Sequence, residues 1–272
     1  MSIGRRALKR VTLFAKGNVD VHDSLHSCRI GGELLWNGIN QIVRVQYPGV
    51  SVRVRHETAV RTDALLELTG EVPDDLAVRA NFLGAHNPEI QFSAAIFNTD
   101  ADAIVLSIMP DVASRLMRHR RAGYLLYPHE MESWSAGDRA WLRSEFGELD
   151  RLDASTSMAN YTRLIERIRE RSQAPILIYN MSSIIPGEMI HCFQGLDDSL
   201  STSIRRFNIG LVELSQATGI SIVDVDSIVA RAGADRLKLD TFHLTADGYR
   251  LVAEEVVRVL ADLGVFQFDG AG

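Results

Sequence analysis

Cysteine is scarce in this chain: 272 residues hold only Cys28 and Cys192. Two thiols so far apart give no disulfide framework. They point to a reducing, cytoplasmic setting in which both are inert, part-buried side chains. Long apolar runs are missing too. No stretch approaches the roughly 18 residues that a membrane span needs. No apolar segment with a cleavage site follows the basic pairs Arg5-Arg6 and Lys9-Arg10, which read as a solvated tail. With a net charge of −6 and no basic block beyond those pairs, nucleic acid is not an expected partner. Neither Gly-x-Gly-x-x-Gly nor Gly-x-x-x-x-Gly-Lys-Ser/Thr occurs, which disfavours a dinucleotide or P-loop enzyme. Repeats, low-complexity tracts and Pro/Ser-rich linkers are absent, so a single domain over 1–272 is expected, and no motif fixes an oligomeric state.

What is present is a 46% hydrophobic composition, enough for a sizeable core, distributed over alternating strands and helices. That alternation favours an α/β fold with a mostly parallel sheet covered on both faces. The expected strands are Val11–Ala15, Val50–Arg55 (alternating, with one exposed face), Ala103–Ile108 and Ala174–Tyr179. Helices are expected around Gly32–Gln46, Ala64–Leu68, Glu89–Phe97 (opened by Pro88) and Tyr161–Arg171, while Leu76–Leu83 is ambiguous. In such sheets ligands bind outside the carboxyl ends of the strands. Four loops are therefore expected at the site: Lys16–Ser24, Ser107–Asp111, Asn180–Ile185 and Asp240–His243. The segment Tyr124–Leu152 is long for a connection and reads either as a lid or insertion, or as a surface helix with Trp141 packed inward.

The densest signal is Lys238-Leu-Asp-Thr-Phe-His-Leu-Thr-Ala-Asp-Gly-Tyr249. Asp240 lies three residues before His243, where a loop enters a helix that Thr245 can cap and that carries an apolar stripe of Val252, Val256, Val259 and Leu260. A carboxylate at that spacing can orient an imidazole and stabilise its protonated form, as a general base requires. On spacing alone, polar loop residues are the preferred reading of the pair.

Asp-x-x-His-Leu-Thr-x-x-Gly-Tyr before an amphipathic helix resembles the last block of the SGNH/GDSL hydrolases. The resemblance covers about 155–262, including a helix around Thr202–Thr218 and a last strand at Gly219–Val225. It implies a three-layer α/β/α fold of flavodoxin-like, SGNH type and a Ser-His-Asp triad in which Asp240 is the orienting acid and His243 the base. The implied nucleophile is Ser24 in His22-Asp-Ser-Leu25, where histidine stands in place of the family's glycine. Counted from the end of the first strand, Asn18 in the Gly17-Asn18 turn takes that position instead. Asp23 and Ser24 also read as helix-capping residues. The family's oxyanion asparagine is replaced, since the chain reads Ile108-Met-Pro-Asp111. Gly84, with Asn87 or Asn18, is the candidate substitute, and His56-Glu-Thr58 is a competing alignment.

Asp20, His22, Asp23 and His26 lie close enough in sequence to suggest a metal site. No His-Glu-x-x-His pattern accompanies them, so polar loop residues, with His22 contacting substrate, are the preferred reading and no cofactor is expected. The leading expectation is a serine esterase, acyl hydrolase or acyltransferase acting on a small ester or acylated sugar-like substrate. The alternatives are an SGNH-fold binding or accessory protein, or a non-serine reaction in which Asp20 or Asp23 joins His243.

Overall fold

In the computed structural model, residues 9–30, 32–79, 84–188 and 199–267 are described. The chain runs β1 (Lys9–Lys16), α1 (Val19–Leu25), β2 (Cys28–Ile30), β3 (Glu33–Trp36), α2 (Asn40–Gln46) and β4 (Val50–Glu57). It continues with α3 (Thr62–Leu66), α4 (Asp74–Ala77), α5 (Pro88–Gln91), β5 (Ala103–Ser107), α6 (Met109–Ala113), β6 (Met117–His119) and β7 (Leu125–Leu126). Next come α7 (Ala136–Glu145), β8 (Phe146–Glu148), α8 (Ala154–Arg169), β9 (Ile176–Tyr179) and α9 (Leu200–Thr218). The chain closes with β10 (Ser221–Val223), α10 (Val225–Ala232), α11 (Ala234–Leu237) and α12 (Ala246–Asp262).

Five strands form a parallel sheet in the order β10-β9-β5-β1-β4. Numbered within the sheet this is 2-1-3-4-5, so the order reverses at the β1/β5 boundary. Side chains alternate across it, as a sheet buried on both faces demands. Val11, Leu13, Ala15, Val105 and Leu177 join a core with α12, while Phe14, Ile104, Leu106, Ile176 and Ile178 join a second core with α8 and α9. This is the expected three-layer α/β/α arrangement. No helix among the described residues is long and apolar enough to cross a membrane.

Several element expectations change. The helix expected at Gly32–Gln46 is instead the β2–β3 hairpin followed by α2. The break is local: Gly38 adopts φ +80°, and Asn40 uses its amide to bond both the N–H and the carbonyl of Val52. The Glu89–Phe97 helix divides into α5 and a 3₁₀ turn at Ala95–Phe97, because Ser93 donates to Glu57 and accepts from the Ala95 N–H. Lys9 and Arg10 are not tail residues but open β1; Arg5 and Arg6 lie outside the described residues. Of Leu76–Leu83, Leu76 and Ala77 end the single turn of α4, and residues 80–83 lie outside the description. Helix α8 begins at Ala154, where Asp153 caps it, rather than at Tyr161.

The last strand is confined to Ser221–Val223. Gly219 closes α9 in the left-handed region, and Asp224 already caps α10. The expected insertion is a unit of β6, β7 and β8 paired antiparallel, with α7. It begins at Met117, earlier than Tyr124, and its Leu126, Trp134, Leu142 and Phe146 share a small core with Leu76 of α4 and with Phe92. Trp141 packs on that core, edge-on to Phe146 at 5.2 Å.

Candidate active site

The Asp240–His243 loop is shaped by its own spacing. Leu237 to Thr245 closes as a narrow turn: Thr245 N–H donates to Leu237 O, Leu239 N–H donates to His243 O, and Lys238 bridges Leu244. At its tip Asp240 Oδ1 accepts from the N–H groups of Phe242 and His243, each at 2.8 Å. That turn brings the imidazole onto the same carboxylate, with His243 Nδ1 2.8 Å from Oδ2. Burial acts to raise the Asp240 pKa. The two backbone donors and the ring outweigh it and hold the carboxyl below the usual range. Both side chains are about half exposed. His243 Nε2 has no hydrogen bond among the described residues, so the ring is oriented through one nitrogen and open at the other.

Residues from all four expected loops line one small pocket beside this turn: Asp20 after β1, Met109 after β5, Ser182 after β9 and Phe242 next to His243. Asp20 sits in the first turn of α1, where Ser107 Oγ donates to its Oδ2. Its Oδ1 is shut off from solvent and has no hydrogen-bond partner among the described residues. Burial raises the Asp20 pKa against the opposing effects of Ser107 and of the backbone of Val21, Asn18 and Asp20 at the start of α1. Lys238 also lines the pocket. Its ammonium donates to Ile184 O at 2.7 Å, and burial lowers its pKa to about 8.

Ser24 is elsewhere in chemical terms. It faces inward on α1 with no exposed surface, and its hydroxyl lies 2.8 Å from Asp20 O, 3.1 Å from Val21 O and 3.0 Å from Tyr179 Oη. A hydroxyl spent on its own helix and on a buried tyrosine cannot attack an ester without that helix opening. The turn after β1 lies at Gly17, where a Cβ would run into Val21, and Ser24 follows it inside α1.

Asn18 precedes α1 but makes no side-chain cap; its Oδ1 accepts from Ala59 N–H at 3.2 Å. Gly84 opens a 3₁₀ turn that Thr58 holds through Ala85 O at 2.5 Å, and Asn87 Oδ1 caps α5 through Ile90 N–H. Asn18 and Gly84 thus meet the same loop after β4, while the Asn87 side chain works as a cap.

His22 is half exposed, with Nδ1 2.7 Å from Asp23, and its ring lies 5.0 Å from His26 and 5.2 Å from His56. Burial lowers the His56 pKa to about 4, with His22 adding to the effect. His22 and His26 are stacked rather than converged, and among the described residues no group of three or more histidine, cysteine or acidic side chains is arranged to hold a metal. Cys28 is buried, which raises its pKa; Cys192 lies outside the described residues.

Sequence reading missed Ser107, Tyr179 and the inward-facing Lys238. Two of these are the last residues of apolar strands, and strand-end position is the signal that could have found them.

No family model matches the sequence, and no curated protein matches it at a significant level. Solved structures do resemble it in shape. An acetyl xylan esterase, AlAXEase, superposes with a TM-score of 0.50 at 12% identity, covering 92% of this chain and 100% of that one. A member of the lipolytic G-D-S-L family from Veillonella parvula gives 0.49 at 12% identity over 93% and 98%. The acetylxylan esterase Axe2 from Geobacillus stearothermophilus gives 0.49 at 11% over 97% and 96%. At such identities the likeness is one of fold, and the three-layer α/β/α architecture is what this chain shares with AlAXEase.

Proposed function

We propose that this protein hydrolyses esters of small carboxylic acids, with His243 as general base and Asp240 as its orienting carboxylate. The observation that carries this reading is the oriented but open imidazole: Nδ1 fixed 2.8 Å from Asp240, Nε2 unengaged, beside a pocket fed by the strand-end loops. The burial of Ser24 favours water, rather than an acyl-enzyme, as the attacking group. His243 Nε2 takes a proton from water as the oxygen adds to the ester carbonyl. The tetrahedral species then expels the alcohol oxygen, which receives that proton from His243, giving acid and alcohol. An alcohol in place of water would make the same step an acyl transfer. The shared fold with an acetyl xylan esterase makes an acetylated sugar the first natural-type substrate to test.

The test is steady-state hydrolysis of para-nitrophenyl acetate and acetylated xylo-oligosaccharides. His243→Ala should lower kcat/KM by about 10²–10⁴-fold, and Asp240→Asn should lower it as well. Ser24→Ala should stay within a few-fold of wild type, and a fluorophosphonate probe should leave Ser24 unlabelled. Labelling that vanishes in Ser24→Ala would restore the serine triad. A folded wild type that turns over none of these esters would favour the binding-protein alternative, which the engaged Ser24 hydroxyl also supports.

A further inference from the structure

Three buried side-chain polar atoms lack a hydrogen-bond partner among the described residues: Asp20 Oδ1, His26 Nε2 and His86 Nδ1. Of their residues, only Asp20 lines the pocket beside His243. A buried acceptor without a donor costs about 1–3 kcal/mol, so an unpaired carboxylate oxygen on a residue that lines a pocket calls for a donor. Among the pocket's other polar groups, the Ser182 hydroxyl accepts from Ile184 N–H and Thr241 brings a further hydroxyl to the wall, while three groups are engaged more fully. Tyr179 Oη is paired with Ser24, Lys238 donates to Ile184 O, and Asn180 is held between Asp224 and the Asp226 N–H. Asp20 Oδ2 is itself occupied by Ser107.

Apart from the Ser182 and Thr241 hydroxyls, the rest of the wall is apolar, with Met109, Met181, Phe242 and Leu244 among it. The cavity measures about 30 Å³, against the roughly 10–15 Å³ that one water needs on the same measure. It has room for two or three heavy atoms. Phe242 and Leu244, the neighbours of His243 on either side, both line it, so a group filling it lies against the loop that presents the base.

We propose that this pocket receives the acyl group of the substrate and selects a short acyl chain ending in a hydroxyl, which Asp20 Oδ1 binds. The proposal rests on the hydrolase reading above and makes Asp20 a specificity-determining residue within it. A site built to pair a substrate hydroxyl rejects the analogue lacking it, because its own polar group is then left buried and unpaired. A purely apolar pocket discriminates far less.

The experiment compares para-nitrophenyl hydroxyacetate with para-nitrophenyl propionate, which replaces the hydroxyl by a methyl group. Each rate is divided by that ester's spontaneous hydrolysis rate. Wild type should favour hydroxyacetate by about tenfold or more in kcat/KM. Asp20→Leu should remove or invert that preference, and Asp20→Asn, which keeps a polar oxygen for Ser107 and the ligand, should retain part of it. Equal use of the two esters by wild type would overturn the proposal, as would a preference that survives Asp20→Leu. A second arm separates this outcome from failure of the hydrolase reading. Glycolamide and propionamide, which are not turned over on the timescale of the measurement, are titrated into wild type and followed by NMR. Tighter binding of glycolamide, lost in Asp20→Leu, supports the pocket assignment even if no ester is hydrolysed. Equal or absent binding of both overturns it.

Discussion

A methyl group on Gly38 would run into the carbonyl oxygen of His26, and the residue already holds φ +80°. The obstacle is backbone rather than a flexible side chain, and the next N–H along, that of Ile39, bonds Leu25 O, so neither side can give easily. Gly38→Ala is therefore expected to cost on the order of 2–3 kcal/mol, and roughly 5–10 °C in melting temperature for a chain of this size. Gly84→Ala, at φ +53° with no atom near its Cβ, should cost clearly less. Thermal denaturation of the two variants side by side checks both. The same level of detail bears on Ser24. Its tetrapeptide is one residue from Gly-Asp-Ser-Leu, yet Val21, Ser24 and Leu25 are the buried positions of α1. Their spacing is that of one face of a helix, and no helix was expected there from the sequence.

Helix α12 is the element on which the site depends, and it was legible in full. Thr245 caps it by accepting from Gly248 N–H, its hydroxyl also donates to Arg236 O, and Val252, Val256, Val259 and Leu260 are all buried. Because Thr245 ends the turn that carries Asp240 and His243, the cap fixes both the helix and the dyad's frame. Thr245→Ala should cost about 1 kcal/mol, and should raise the exchange rate of the His243 amide by more than it raises that of amides in the β5 core. Equal changes at both places would mean that the cap acts only on global stability. Buried strands were legible for the same reason as α12, since a periodic apolar pattern has one burial solution. The β2–β3 hairpin was not. Leu34 and Leu35 are both exposed, so they imitate a helix's apolar face without being buried, and the Asn37-Gly38 dipeptide that ends the hairpin is a turn signal that only outweighs them in hindsight of the packing. The pocket was legible as four loops, and Asp20 as one of two acids that could join His243, but not its bond to Ser107, 87 residues away in sequence.

At the scale of the whole molecule, buried titrations oppose one another below neutrality. Burial lowers His56 to about 4, helped by His22, and lowers His86 to about 4, helped by His129. Burial raises Asp111 to about 6, against hydrogen bonds from Ser157 and Thr62. A histidine whose folded value lies below its unfolded 6.5 takes up protons first in the unfolded chain, so its contribution is complete above pH 6.5 and is lost as pH falls towards 4. Asp111 runs the other way. The folded protein takes up the proton first, so between about pH 6 and its unfolded 3.8 stability rises as pH falls. Burial also lowers His26 and raises Asp20, so losses at three histidines stand against gains at two carboxyls. At pH 5 each histidine should contribute a loss on the order of 1–2 kcal/mol and Asp111 a gain of about 1 kcal/mol. Urea denaturation at pH 7.5 and pH 5.0 measures the sum, and variants separate its parts. His56→Asn and His86→Gln should each reduce the difference between the two pH values, whereas Asp111→Asn, which can still accept the Thr62 N–H, should enlarge it. A difference that Asp111→Asn reduces would reverse the sign assigned to that carboxyl. One left unchanged by both histidine variants would move the acid sensitivity of the fold away from the two histidine clusters.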